Sequence, residues 1–205
     1  MKGVILAAGK GRRLRPLTHT GPKHLLPIAG KPIINYGIEK LKEIGLKEIG
    51  IIVGYRAEDI KQYLKDGSQL GINIHYFLQE PQMGIAHALK FAEKYLSDDK
   101  FIVYLGDNLI KQDLMKFAEK FENDDLDALI LLSKVRKPER FGVAVIENGK
   151  VTKLIEKPKE RISDLALVGI YFFKPTIFKA IHKIKPSWRN ELEITDAIQW
   201  LIDHN

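Results

Sequence analysis

Cysteine is absent from the 205 residues, which excludes disulfide bonds and thiolate chemistry. No apolar run approaches the roughly 20 residues that a membrane-spanning helix needs. Met1 and Lys2 are followed directly by strand-like sequence and not by the apolar region of a signal peptide. These absences predict a soluble cytoplasmic protein that has no membrane partner.

Two common phosphate-binding motifs are also missing. The string GxxxxGK[ST] of a P-loop occurs nowhere in the chain. A dinucleotide fingerprint needs GxGxxG, but Gly9 and Gly11 are followed by Leu14 where the third glycine would stand. The sequence is therefore neither that of a standard P-loop ATPase nor that of a standard Rossmann dehydrogenase.

Acidic residues are absent from positions 1–38, where all the excess positive charge lies. The net charge is +7, and beyond residue 38 basic and acidic residues are equal in number. The seven basic residues of this segment are Lys2, Lys10, Arg12, Arg13, Arg15, Lys23 and Lys31. A localised positive field favours an anionic partner. Nucleic acid is disfavoured, because no basic stripe with interleaved aromatic residues recurs along the chain. A small anion such as a nucleotide explains the localisation better.

The basic segment contains a strand followed by a glycine-containing loop. Val4 to Ala8 is an apolar run that breaks at Gly9 and Gly11, which is typical of a buried strand leading into a loop. Glycines let backbone N–H groups approach a ligand closely, and a concave array of N–H donors suits phosphate. The loop and its arginines therefore predict a polyphosphate site.

The remaining chain alternates between helical and strand-like patterns. Helices are predicted over 32–45, 57–64 and 84–96 and over the last residues from 194, and strands over 49–53, 72–78, 101–105, 126–132 and 165–173, with a hairpin at 143–155. This order predicts an α/β fold, a doubly wound and mainly parallel mixed sheet in three αβα layers. We expect one domain over 1–205, with a nucleotide-binding half at 1–125 and a sugar-binding half at 126–205.

Polar groups follow the predicted strands, and ligands gather at the carboxyl ends of strands in such a sheet. Gln79 and Gly84 follow one strand, Asp107 follows another, and Asp196 opens the last helix. Carboxylates suit Mg²⁺, which typically uses one or two of them together with substrate phosphates. From the residues alone, Asp107 is more simply interpreted as a turn residue, and Asp196 as a residue that caps and charges a helix start. His87 is expected to be a surface or packing residue and not a ligand.

The stretch from Gly3 to Pro27 resembles the signature LAAGxGxRLxPLT, followed by PKxLLP, of the sugar-1-phosphate nucleotidyltransferases. Within that family it is most similar to the glucose-1-phosphate thymidylyltransferase branch, whose Rossmann-like fold the resemblance implies. Further strings, GDN at 106–108, EKP at 156–158 and ELEITD at 191–196, resemble family segments and extend the match along the chain. Phe141 departs from the tyrosine that is common in the family, and Gly21 is a further departure.

The resemblance implies roles for particular residues. Those implied are Arg13, Lys23 and Lys157 for catalysis; Leu6, Ala8, Gly9, Gly11, Gln79 and Gly84 for the nucleotide; Leu105, Gly142, Glu156, Leu167 and Tyr171 for the sugar; and Asp107 and Asp196 for Mg²⁺. From the residues alone, a Glu-Lys pair is usually a solvated surface feature, and Tyr171 is more often a core residue.

The activity implied is transfer of a nucleotidyl group from a nucleoside triphosphate to a hexose 1-phosphate, with release of pyrophosphate. The expected pair is dTTP with glucose 1-phosphate, and UTP is the alternative nucleotide. Two hypotheses compete with this activity: a non-catalytic regulatory subunit of the same fold, and a nucleic-acid-binding module. The resemblance is compatible with a homo-oligomer. Family members continue with a further strand and helix, so a C-terminal tail is expected to be missing here.

Overall fold

The computed structural model describes residues 1–204 and contains one large sheet and a small two-stranded ribbon. The strands are β1 (Lys2–Ala7), β2 (Pro27–Ile28), β3 (Lys31–Pro32), β4 (Glu48–Val53), β5 (Asn73–Leu78), β6 (Phe101–Leu105), β7 (Ala128–Lys134), β8 (Gly142–Glu147), β9 (Lys150–Glu156) and β10 (Leu165–Phe173). The helices are α1 (Ile33–Glu43), α2 (Ala57–Leu64), α3 (Ile85–Phe91), α4 (Glu93–Leu96), α5 (Met115–Asn123), α6 (Ile177–Lys183) and α7 (Ile194–His204).

The first half of the large sheet is parallel, with the order β5-β4-β1-β6. Strands β1, β4 and β6 are nearly continuous apolar runs, as expected where helices cover both faces of a parallel sheet, whereas the edge strand β5 is only partly buried. Ala7 lies opposite Val53, and Val53 lies opposite Leu78. The three strands therefore end level with one another, so the residues that follow them meet at one edge of the sheet.

The second half of the sheet is antiparallel. β10 pairs antiparallel with β6, β7 and β8, and β8 forms a hairpin with β9. Asn148 and Gly149 turn this hairpin with φ of 50° and 76°, as a tight Asn-Gly turn requires. The sheet is mixed, as predicted, but antiparallel pairings outnumber parallel ones by four to three. The parallel character that the sequence predicted is confined to the first half.

Helices cover both faces of the sheet, which confirms the three-layer architecture. One core packs α1, α2 and α5 against the sheet through Ile34, Ile60 and Phe121, all fully buried. The other core packs α3, α6 and α7 against the opposite face through Leu89, Ile181 and Ile198. Burial of each such side chain contributes about 1.5–3 kcal/mol to folding. No helix within residues 1–204 is long and apolar enough to cross a membrane.

The helices and one strand differ from the sequence prediction. The helix expected over 84–96 is divided at Ala92, where φ is −105°, so that α3 and α4 are separate. The short helices α5 and α6 were not predicted from the sequence. The strand expected at 126–132 lies two residues later, as β7.

Candidate active site

The glycine loop after β1 is held in a tight conformation. Gly11 has φ of 62°, and a Cβ atom there would lie 2.9 Å from Cγ2 of Thr18. The hydroxyl of buried Thr18 donates a hydrogen bond to the carbonyl of Gly11 at 3.0 Å. A side chain at position 11 would therefore be strained and obstructed, which explains the glycine. The short 3-10 helix Arg12–Leu14 follows at once and carries the arginines of the signature.

The first cavity of the site lies beside this loop and has a volume of about 770 Å³. The residues that line it include Gly9, Lys10, Gly11, Arg12, Arg13, Lys23, Gln82, Asp107 and Glu191. Four of these side chains are cationic. The structure therefore brings Gly9, Gly11, Arg13 and Lys23 together, as the sequence predicted, around a space that suits a polyanion.

Asp107 follows β6 and points its carboxylate toward the opposite wall, where it forms an ion pair with Lys23. Burial opposes ionisation of Asp107, but the charge of Lys23 and its hydrogen bond outweigh burial and lower the pKa of Asp107. The next residue anchors this loop, because the Asn108 side chain donates to the carbonyl of Val168. The hydroxyl of Tyr104 donates to the carbonyl of Asn108 at 3.1 Å.

His24 lies beneath this ion pair and is 1% exposed. Burial, followed by the neighbouring charge of Lys23, lowers the pKa of His24 to about 3. Its imidazole is therefore neutral at pH 7, and its Nδ1 is a buried atom without a hydrogen-bond partner among residues 1–204. The cation in contact with Asp107 at neutral pH is Lys23 and not His24.

The second cavity is formed mainly by the antiparallel half of the sheet and has a volume of about 430 Å³. It is lined by every residue that the resemblance assigned to the sugar, together with Lys157: Leu105, Gly142, Glu156, Leu167 and Tyr171. Gly142 keeps this cavity open, because a Cβ atom there would lie 2.9 Å from Oε2 of Glu156 and 2.6 Å from Cγ2 of Thr195.

Arg189 lies at the centre of a cluster of carboxylates in this second cavity. Its guanidinium contacts Glu191 at 2.8 Å, Glu193 at 3.2 Å and Glu156 at 3.4 Å. Burial and the charge of Glu193 raise the pKa of Glu156. Sequence reasoning did not identify Arg189, Glu191 or Glu193 as site residues. The available signal was the charge-rich string RNELE before the last helix, but it does not reveal that these charges converge on Glu156.

The two cavities adjoin. Arg13, Asp107 and Glu191 line both of them, so one continuous cleft has a cationic end and a more enclosed end. The cleft crosses the carboxyl ends of β1 and β6, where ligands bind in sheets of this kind.

Gln79 and Gly84 lie together next to this cleft but line neither of its two cavities. Gln79 continues β5, and the sheet register places it level with Ala8 and Gly54. Its side-chain NH₂ donates to the carbonyl of Gly84 at 3.1 Å. Ala8 is buried and Leu6 lies in β1, packed against the core, so these two residues contribute mainly backbone to the edge of the site.

The two predicted metal ligands, Asp107 and Asp196, differ in their relation to the cleft. Asp107 lines both cavities, whereas Asp196 lines neither, and burial and Glu193 raise the pKa of Asp196. Among residues 1–204, no cluster of three or more histidine or acidic side chains could hold a metal ion. The residues present fit a metal held by the single carboxylate of Asp107 and by ligand oxygens. Asp196 as a second metal ligand stays a prediction without geometric support.

Two curated relatives match nearly the whole chain. The chain is 50% identical over 205 residues to a protein of Haloferax volcanii named low-salt glycan biosynthesis nucleotidyltransferase Agl11, covering 99% of this chain and 57% of the relative. It is 45% identical to a glucose-1-phosphate thymidylyltransferase of Streptomyces griseus, covering 99% of this chain and 58% of the relative. The chain thus spans somewhat more than half the length of these relatives.

A solved structure shares the fold. A Bacillus anthracis protein, described as a glucose-1-phosphate thymidylyltransferase in complex with sucrose, superposes with a TM-score of 0.93 at 41% identity. The match covers 100% of this chain and 84% of the other. The family model described as nucleotidyl transferase matches residues 2–205. With its signature loop, its two-part cleft and these matches, the chain belongs to the nucleotidyl transferase family.

Proposed function

We propose that this protein transfers a nucleotidyl group from a nucleoside triphosphate to a hexose 1-phosphate and releases pyrophosphate. The expected substrates are dTTP, with UTP as the alternative, and glucose 1-phosphate. The observation that carries the proposal is the two-part cleft. A cationic cavity of about 770 Å³ adjoins a smaller cavity of about 430 Å³, and Arg13 and Asp107 lie where the two meet.

In this proposal the triphosphate lies along the glycine loop in the first cavity. An oxygen of the sugar 1-phosphate attacks the α-phosphorus, and the bond from that phosphorus to the pyrophosphate oxygen breaks. The attacking phosphate is already anionic near pH 7, so no general base is needed. Positioning and charge neutralisation supply most of the catalytic effect in such transfers. Arg13 stabilises the departing pyrophosphate, and Lys23 stabilises charge at the reacting phosphates.

The second cavity binds the sugar phosphate. Lys157 neutralises its phosphate, and Glu156 accepts hydrogen bonds from sugar hydroxyls, held in place by Arg189 at 3.4 Å. Tyr171 is buried and forms part of the cavity wall. Burial raises the pKa of its hydroxyl, which therefore stays protonated. The carboxylates around Arg189 leave this region balanced in charge, which suits a largely neutral sugar ring.

A divalent cation, which we propose to be Mg²⁺, would be held by Asp107 together with substrate oxygens. When bound, it would supply charge neutralisation between the triphosphate and the sugar phosphate. In the free protein Lys23 forms an ion pair with the carboxylate of Asp107. Substrate phosphates would compete with Asp107 for Lys23, because a triphosphate carries several negative charges and a carboxylate carries one.

The test is pyrophosphate release in the presence of Mg²⁺ and glucose 1-phosphate, with each of dTTP, UTP, CTP, GTP and ATP. Release with dTTP or UTP that depends on the sugar phosphate is the expected result. If no pair releases pyrophosphate, calorimetry with dTTP distinguishes the remaining cases. Binding without turnover would support the regulatory-subunit alternative, and absence of binding would contradict nucleotide recognition altogether.

A further inference from the structure

The side-chain amide of Gln79 has both of its hydrogens engaged. Its Nε2 lies 3.1 Å from the carbonyl oxygen of Gly84 and 3.1 Å from Nδ1 of His87. A backbone carbonyl can only accept a hydrogen bond, so the amide atom that faces Gly84 must be the NH₂ group. The same NH₂ group faces His87, whose Nδ1 must therefore accept the second hydrogen.

The other amide atom of Gln79 remains available. Although the residue is 4% exposed, its Oε1 receives no hydrogen bond from residues 1–204. Oε1 is also not among the fully buried side-chain atoms that lack a partner, so it retains contact with solvent. Gln79 thus offers a fixed acceptor at the edge of the cleft.

His87 is suited to hold this orientation. Burial and the charge of Lys90 lower the pKa of His87, so its ring is neutral at pH 7 and Nδ1 can accept. The ring also packs edge-on against Phe91, with centroids 5.1 Å apart. Gly84 is equally constrained: its φ is 99°, and a Cβ there would lie 2.5 Å from the carbonyl of Leu192. Both acceptors of the amide hydrogens are therefore held by packing.

We propose that His87 is a positioning residue that fixes the amide of Gln79 so that its carbonyl oxygen, and not its NH₂ group, faces the nucleotide base. This inference rests on the proposed function, in which Gln79 contacts the base. It makes His87 a determinant of selectivity for the nucleotide base. The imidazole itself does not touch the substrate.

The base selected follows from hydrogen-bond chemistry. Uracil and thymine carry an N–H at position 3, which can donate to Oε1 of Gln79. Cytosine has an unprotonated N3 at this place, and two acceptors would then face each other. A site built around one hydrogen bond discriminates strongly against a ligand that lacks the matching group. Uracil and thymine present the same N–H, so this device favours dTTP and UTP alike over CTP.

Calorimetric binding of dTTP, UTP and CTP, each with Mg²⁺, tests the inference in four proteins: wild type, His87→Leu, His87→Gln and the control His182→Leu. His182 is a half-exposed histidine that pairs with Glu93 at 2.9 Å, outside the cleft. In His87→Leu only the carbonyl of Gly84 still orders the amide. The alternative orientation, in which the NH₂ group faces N3 of cytosine, therefore becomes less costly than in wild type. We expect the UTP-to-CTP affinity ratio to fall about tenfold. In His87→Gln a side-chain oxygen replaces Nδ1, and we expect the ratio to return to within about threefold of wild type.

The possible outcomes distinguish failure of this inference from failure of the proposed function. If wild type binds no nucleotide, the proposed function fails and the inference fails with it. If wild type prefers UTP and dTTP but His87→Leu keeps the full preference, only the inference is overturned. If His87→Leu weakens all three nucleotides equally, His87 has a structural role alone, and the inference is again overturned. Long-range ¹H–¹⁵N NMR of the free protein gives an independent check: the proton of His87 must lie on Nε2, and a proton on Nδ1 would contradict the geometry.

Discussion

The two ends of the cleft differ in how their charges are balanced. In the cationic cavity Lys23 pairs with Asp107, while Arg12 and Arg13 have no ion-pair partner among residues 1–204. In the smaller cavity Arg189 contacts three carboxylates, and Lys157 lies 3.7 Å from Glu156. The first end carries excess positive charge that a ligand must neutralise, whereas the second is neutralised by its own residues. The difference indicates that the first end binds by charge and the second by shape and hydrogen bonds.

The largest effect should come from removing charge at the cationic end. In Lys23→Ala the reacting phosphates lose their nearest cation, and we expect the rate of pyrophosphate release to fall by about 10²–10³-fold, as when one preorganised donor is removed. The thermal unfolding temperature should change little, because the ion pair with Asp107 is partly exposed. Steady-state kinetics and a thermal melt measure both quantities.

The matched control is Lys31→Ala, which removes a lysine from the same basic segment but one that pairs with Glu39 outside the cleft. Equal losses of activity in both variants would mean that the general positive field is responsible and not the position of Lys23.

The second prediction tests whether shape governs the other end. In Gly142→Ala the new methyl group would lie 2.6 Å from Cγ2 of Thr195 and 2.9 Å from Oε2 of Glu156. Overpacking of this kind typically costs about 1–3 kcal/mol, so we expect KM for the hexose 1-phosphate to rise about 5- to 150-fold. Affinity for the nucleoside triphosphate should stay within twofold.

Gly21→Ala serves as the control for this variant, because no atom lies within 4 Å of a Cβ at that position. If Gly142→Ala weakened nucleotide and sugar phosphate to the same degree, the two ends would not be separable, and the comparison itself would be wrong.

The third prediction uses the pH dependence of stability at the cationic end. The pKa of His24 is about 3 in the folded protein, against about 6.5 when unfolded. Between these values the unfolded chain binds a proton that the folded protein does not. Stability is therefore lost as pH falls below 6.5, by about 1.4 kcal/mol per pH unit for this one group. In His24→Gln this part of the slope should disappear, which urea unfolding at pH 7.5, 6 and 5 in the presence of EDTA would measure.

His75→Gln is the appropriate comparison for His24, because His75 is exposed and pairs with Glu48 at 2.7 Å. Parallel stability curves for wild type and His24→Gln would mean that folding does not lower the pKa of His24, contrary to the prediction.

The residue pattern alone predicted the cationic end, whereas the residues of the enclosed end were assigned only through the resemblance, and the difference has a physical reason. Gly9, Gly11, Arg13 and Lys23 lie within 15 consecutive residues, so local loop geometry brings them together. Three of the parallel strands were likewise visible as continuous apolar runs, and β5 was visible from its alternation. In the second half, the partners of β10 and its irregular pairing between Leu167 and Tyr171 depend on long-range contacts that no local pattern encodes. The antiparallel content was therefore underestimated.

The same reason explains the individual residues that were missed or remain unsupported. Arg189 reaches Glu156 only because a tight turn, closed by a hydrogen bond from the Ser187 amide to the Glu191 carbonyl at 2.8 Å, directs it inward. Asp196 was assigned to the metal from its string alone, but its position at the start of α7 leaves it outside both cavities. His87 was expected to be a packing residue and does pack, yet it also bonds Gln79, because the segment between β5 and α3 brings the helix back to the end of the strand.

The smallest effect is expected at the enclosed end and has the opposite sign to that of His24. Burial and Glu193 raise the pKa of Glu156, so the folded protein retains a proton there that the unfolded chain has already lost. This group therefore lowers stability as pH rises from about 4.5 through its raised value. In Glu156→Gln that loss should vanish, and at pH 7 the variant should be at least as stable as wild type while its KM for the sugar phosphate rises. Glu160→Gln, in the exposed loop that follows, should change neither quantity. Destabilisation of Glu156→Gln at pH 7 would instead mean that its ion pair with Arg189 outweighs burial, and that charge governs the enclosed end as well.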